Sequence, residues 1–159
     1  MSSAYFAKAI TKTKAKKQAW EAFSIYMRTL WTNKGGKPVE CYTCGAHCFL
    51  KERPGKRVTV GHWYEGHADV TYVNEVYVRP QCYRCNMMLG GNQGEFRDKI
   101  RAELGDAEVD RLIFEAKNAH SELTAQDYLQ KKAFYKEQLQ KLLNGEYPFG
   151  AVGLPGASS

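Results

Sequence analysis

The chain has 159 residues, of which 43% are hydrophobic and 25% charged, a composition and length suited to one soluble domain with at most a helical appendage. No apolar run approaches the roughly 20 residues of a membrane span, and the opening MSSAYFAKAITKTKAKK has no secretory-signal core, so a cytoplasmic protein is expected. Lys plus Arg is 23 against 17 for Asp plus Glu, and the net charge of +6 favours an anionic partner, nucleic acid first.

In chain order, residues 1–11 read as frayed. A helix follows over Thr13–Thr32, with Ala15, Ala19, Trp20, Phe23, Met27, Leu30 and Trp31 at the three- and four-residue steps of a buried face. Lys12, Lys14, Lys16 and Lys17 crowd its first turns against the helix dipole. A phosphate backbone would favour them there, and so would plain solvation. Asn33–Pro38 is a break. Within 39–92, Arg57–Trp63 and Val70–Val78 read as two strands of a hairpin joined by Tyr64–Asp69. A short helix should open near Cys82 and stop at Gly90-Gly91. Helices are then expected over Gly94–Leu104 and Ala107–Lys117. A third runs from Thr124, with Asp127 completing a capping box, to about Leu143. The last ten residues read as a tail. The domain plan is a basic helix at 1–36, a core at 37–105, helices at 106–149 and a tail at 150–159.

Five cysteines, an odd number with no export signal, argue against a disulfide framework. Cys41-Tyr42-Thr43-Cys44 and Cys82-Tyr83-Arg84-Cys85 are two C-x2-C pairs. Each pair aims two thiolates at one point, and together they complete a closed tetrahedral zinc site that holds structure. The amides of the short helix opened by the second pair should stabilise thiolate charge. A redox role is disfavoured because there are two pairs and no clear βαβ context. Cys48 and His47 are alternate ligands on paper. A partly buried free thiol and an ordinary loop histidine are the simpler reading.

Between the pairs, Gly61-His62-Trp63 ends the first strand, and Asn86 follows Cys85 directly. A zinc clip would therefore set a strand histidine opposite a helix asparagine. A neutral histidine can deprotonate water, and an oxygen ligand can hold a divalent cation against a phosphate. This layout resembles the ββα-metal nucleases. More closely, GHW…NEVYVRPQCYRCNMMLGGNQGEFR resembles the HNH-type core of the phage NinG, or Rap, recombination proteins, and the likeness spans about residues 14–143. That family comprises structure-specific nucleases that act on branched DNA such as Holliday junctions.

The resemblance implies an α+β fold: a zinc-stabilised, treble-clef-like ββα-metal core with flanking N- and C-terminal helices. It implies Cys41, Cys44, Cys82 and Cys85 as structural zinc ligands and His62 as general base. Asn86 would be a ligand of a catalytic magnesium or manganese ion, with His62 beside it, and Asn92 would face the site. Two positions depart from wider HNH patterns. The acid often found before the histidine is Gly61 here. The acid that phage endonuclease VII carries three residues past its Cys-Asn is Leu89 here. Glu65, His67, Asp69 and Glu95 are candidates to supply the missing charge. The middle HNH asparagine aligns with Tyr77, and Asn74 is placed to tie the loop to the His62 backbone instead.

His67 reads as a loop histidine or a phosphate or metal contact, and His120 as a surface residue. Lys14, Lys16, Lys17, Arg79, Arg84 and Arg97 are the candidate DNA contacts. Cleaving two strands in step favours a homodimer, with the first and last helices as candidate pairing surfaces. The expected activity is junction cleavage. A general or nicking HNH endonuclease, as in phage packaging, and a non-catalytic zinc-stabilised DNA-binding module are the alternatives.

Overall fold

The computed structural model describes residues 8–64, 69–119 and 122–146. The expected tail, the hairpin-loop residues Glu65 and His67, and His120 lie outside them. Helix α1 spans Lys12–Trp31, and the Thr11 side chain caps it by accepting from the Lys14 amide. Its alanines, Phe23, Tyr26 and Met27 form a buried face, as the periodicity predicts. Two of the four lysines at its start are favoured from within the molecule. Lys12 and Lys16 reach Asp69 at 2.7 and 3.2 Å.

Two-residue strands β1 (Val39–Glu40) and β2 (His47–Cys48) pair antiparallel around the first C-x2-C turn. Gly45 sits in that turn at φ +77°, where a Cβ would be strained. The central hairpin is β3 (Val58–His62) against β4 (Val78–Cys82), with Val58 opposite Cys82 and His62 opposite Val78.

This corrects the expected hairpin, whose second strand is predicted at Val70–Val78. Residues Asp69–Tyr72 instead form a helical turn, α2, and Glu75–Tyr77 a 3-10 turn. Two side chains override the strand propensity of VTYV. The Asn74 carboxamide oxygen accepts from the Val76 amide and caps the 3-10 turn. The Asp69 carboxylate also accepts the Leu123 amide and the Tyr128 hydroxyl. Pro80 is tolerated in β4 because each strand of a two-stranded sheet has an open edge. On that edge its carbonyl accepts the Tyr42 amide.

After β4, Arg84–Met88 forms one wide π-helical turn. Gly90 and Gly91 follow with positive φ, ending the turn where a Gly-Gly stop is expected. Then come α3 (Gln93–Leu104), α4 (Asp106–Asn118) and α5 (Ala125–Leu143). The predicted capping box is present: Thr124 accepts from Asp127 N, and Asp127 accepts from Thr124 N.

The hairpin serves as a spine for three apolar clusters. Val60 and Val78 join α1 and α5 through Phe23, Tyr26, Tyr128 and Tyr135. Trp63 and Tyr77 join α3 and α4 through Phe96, Ile100, Val109 and Leu112. Val58 joins the cysteines. The apolar faces of α1 and α5, candidates for pairing between copies, thus pack on each other within one chain. No helix among the described residues is long and apolar enough to cross a membrane.

Candidate functional site

The four expected cysteines converge. The Sγ atoms of Cys41, Cys44, Cys82 and Cys85 all lie within 4.8 Å of one another. Sulphurs about 2.3 Å from a tetrahedral zinc are about 3.8 Å apart, and Cys44 and Cys82 are at 3.7 Å. Backbone turns set this geometry. Gly45 N donates to Cys41 O at 2.8 Å, and Cys85 N to the Cys82 sulphur at 3.4 Å.

The electrostatics favour a cation. Burial works against the Cys41 thiolate, yet hydrogen bonds from Thr43 and from nearby amides outweigh it and bring the thiol down to about 6. Burial and the neighbouring thiols push Cys82 up to about 12 and raise Cys44. Four thiols this close cannot all ionise unaided, and a bound dication removes that conflict. The donor set fits zinc. Cys48 lies outside the cluster: it is buried, donates to Ala46 O at 3.5 Å, and is raised to about 12 by burial. His47 is exposed and faces Glu40 at 3.6 Å.

His62, the last residue of β3, is half-buried. Its Nε2 lies 3.0 Å from the carbonyl oxygen of Tyr72. A carbonyl can only accept, so Nε2 is the donor, and in the neutral ring Nδ1 keeps the lone pair. Nδ1 has no hydrogen-bond partner among the described residues. The ring is flanked by Trp20 of α1 (centroids 5.3 Å, 24° between planes) and by Tyr72 (6.1 Å, 10°). Its backbone is tied by Gln93, whose Nε2 donates to His62 O at 3.0 Å. Asn74, expected in that role, donates to Val70 O instead.

Asn86 lies in the π-helical turn and donates to Thr59 Oγ1 at 2.9 Å and Val60 O at 3.3 Å. Its amide nitrogen thus locks the turn to the strand that carries His62, which leaves its Oδ1 as donor atom for a cation. Asn92, expected to face this site, directs its Nδ2 to the Cys85 sulphur at 3.7 Å and so supports the four-cysteine centre.

Gly61 has a steric reason. A Cβ there would lie 2.1 Å from Oε1 of Gln81. Gln81 is fully buried and held by Thr43 Oγ1 and Gly91 O. The acid of wider HNH patterns has no room at 61. Asp69 does not replace it, being bound to Lys12, Lys16, Tyr128 and Leu123. Glu95 is an exposed residue of α3. Of these candidates only Asn86, tied to β3, keeps an oxygen donor available there, too few by itself for magnesium, which is usually held by one or two carboxylates.

Residues 6–146 match the family described as Bacteriophage Lambda NinG protein. The chain belongs to that family. No curated protein and no solved structure matches it. The NinG proteins are related to phage recombination, and the match takes in the cysteines, the hairpin and the flanking helices.

The cationic residues of this NinG-family chain divide into two sets. Lys14, Lys17, Arg84 and Arg97 are exposed. Lys16 is committed to Asp69 and lies 4.4 Å over the Tyr72 ring. Arg79 is paired with Glu103 at 2.9 Å and packs near Tyr42. These two, expected to touch DNA, are engaged in ion pairs within the chain. Trp20, Tyr72, Gln81 and Gln93 were not singled out in the sequence as site residues. Trp20 was legible only as part of a helical core face. The other three carry no local signal, because their hydrogen-bond partners lie 10 to 38 residues away.

Proposed function

We propose that this NinG-family protein is a metal-dependent endonuclease that cleaves branched DNA such as Holliday junctions, using a ββα-metal core. The observation that carries the reading is the state of His62. Nε2 is fixed as the donor to the Tyr72 carbonyl, which leaves Nδ1 free to take a proton from water. Asn86 stands on a zinc-anchored turn locked to the same strand. The hairpin, the four-cysteine centre and the turn after Cys85 give the order strand, strand, helical turn that such a core needs.

In this mechanism His62 Nδ1 accepts the proton of the attacking water, and the Tyr72 carbonyl stabilises the imidazolium that forms. Trp20 and Tyr72 hold the ring in plane. An exposed arginine such as Arg84 or Arg97 offsets charge developing on the phosphate. A magnesium or manganese ion would polarise the phosphate and favour departure of the 3′-oxygen. The family resemblance carries that requirement. Zinc remains structural.

The test is cleavage of a synthetic four-way junction beside a linear duplex of the same sequence, with wild type and His62→Ala, in magnesium, manganese or chelator. The expected result is junction cutting that needs both the ion and His62, with a loss of about 10²–10⁴-fold on substitution. Equal cutting of both substrates would point to a general or nicking HNH endonuclease. Salt-sensitive binding with no cutting in any metal would leave a zinc-built DNA-binding module.

A further inference from the structure

The turn that carries Asn86 also carries an apolar tip. Met87, Met88 and Leu89 are 62%, 70% and 46% exposed, and they are consecutive. Scattered apolar residues on a surface are ordinary, whereas three in a row on one protruding turn are not. The tip stands on a rigid base. Cys85 and Cys82 tie it to the four-cysteine centre, Asn86 ties it to β3, and Leu89 N closes the π-helical turn on Arg84 O at 2.9 Å. Gly90 and Gly91 then turn the chain away.

The flanking chemistry selects the occupant. Tyr83, at 41% exposed, offers an aromatic face, and Arg84 beside it is exposed. Arg84 is the one charged residue between Gln81 and Gln93. An aromatic ring and a guanidinium stack on bases and meet phosphates. Apolar side chains on a rigid tip can enter a base step. Position points the same way. Successive Cα atoms are about 3.8 Å apart, so Leu89 lies at most about 11 Å along the chain from Asn86. That is roughly three base steps at about 3.4 Å each. A phosphate held at His62 and Asn86 would have neighbouring bases within reach of the tip.

We propose that Met87, Met88 and Leu89 form a wedge that inserts into DNA at an unstacked base step beside the phosphate held at His62, and that this wedge gives the protein its preference for branched DNA. The inference rests on the endonuclease reading for the location of that phosphate. Inserting the wedge into a continuous duplex must first separate stacked bases. At a branch point the stack is already interrupted, so that cost is smaller and the junction is favoured. The selectivity then comes from deformability, with no base-edge hydrogen bond required.

The test uses the full, zinc-loaded chain as wild type, Met88→Ser and the triple variant Met87→Ser/Met88→Ser/Leu89→Ser. Binding to a four-way junction and to a linear duplex is titrated in chelator-free calcium buffer, with 2-aminopurine at the branch point reporting unstacking. Sedimentation velocity and zinc content are measured on the same samples. The expected result is a fluorescence rise with wild type that the triple variant loses. Its junction-over-duplex affinity ratio should fall at least tenfold, with a smaller fall for Met88→Ser and unchanged zinc content. An unchanged ratio and fluorescence would overturn the wedge, as would absence of DNA binding by wild type. Conversion of a dimer to a monomer by the triple variant, with unstacking intact, would overturn it in favour of a contact between copies. These readouts need no cleavage. Wild-type unstacking without cutting would sink the endonuclease reading alone, and cutting without unstacking would sink the wedge alone.

Discussion

At the scale of single residues, two hydrogen-bonding groups decide the chemistry of this molecule. The Tyr72 carbonyl selects one tautomer of His62 and so leaves a base on the other nitrogen. The Gln81 carboxamide decides residue 61. Its oxygen fills the space of a Cβ, and its nitrogen is pinned at 3.2 Å to Thr43 and 2.8 Å to Gly91, so it cannot swing away. Gly61→Ala should therefore destabilise by about 1–3 kcal/mol, the usual cost of overpacking, read as a lowered midpoint in urea. An unchanged midpoint would mean that Gln81 repacks freely. The glycine before the histidine was legible in the sequence as a departure from wider HNH patterns. Its cause was not, because Gln81 lies 20 residues further along the chain.

At the scale of elements, two devices hold the helices and the core together. One is Asp69, which joins α1 to α5 by accepting from Lys12, Lys16, Leu123 N and Tyr128. Burial works against its charge, but these donors outweigh it and hold the carboxyl well below the ordinary range near 4. A depressed folded value means that the stability is fully present above the unfolded pKa and is lost as pH falls below about 4. Asp69→Asn should lower stability at pH 7 by about 2–4 kcal/mol. It should also narrow the gap between thermal midpoints at pH 7 and pH 3. An equal gap in both proteins would deny Asp69 this role.

The other device is the four-cysteine centre. Cys82→Ser should lose the zinc and the ordered packing of 39–92, whereas Cys48→Ala should keep one zinc per chain, measured by metal analysis and near-ultraviolet dichroism. Loss of zinc from the Cys48 variant would show that the ligand set is wrong. The two C-x2-C pairs made this centre readable from sequence, because ligand spacing is a local property. The strand partner of β3 was misplaced for the opposite reason. Val70-Thr71-Tyr72-Val73 has local strand propensity, but Asp69 and Asn74 bind groups that draw the segment into helical turns.

At the scale of the whole molecule, the excess of 23 basic over 17 acidic residues is shared unevenly between folding and surface. Lys14 and Lys17 project from α1 into solvent, while Lys16 is used inside. If α1 lies along a phosphate backbone, Lys14→Gln/Lys17→Gln should weaken DNA binding and reduce the slope of log K against log salt by about 1–2. Lys16→Gln should lower the thermal midpoint and leave the salt slope nearly unchanged. A slope untouched by the double variant would remove α1 from the DNA interface.

The long helices, the Thr124 capping box and the four-cysteine cluster were determined by the sequence alone. Each rests on contacts between residues a few positions apart, or on a spacing that aims two side chains at one point. The tertiary structure alone decided which lysines are free, where β3 finds its partner, what holds the His62 ring and backbone, and why residue 61 is glycine. Those outcomes depend on Trp20, Asp69, Gln81 and Gln93 meeting groups far away in the chain. Local propensity and periodicity carry no record of such meetings, which exist only once the hairpin has brought the helices together.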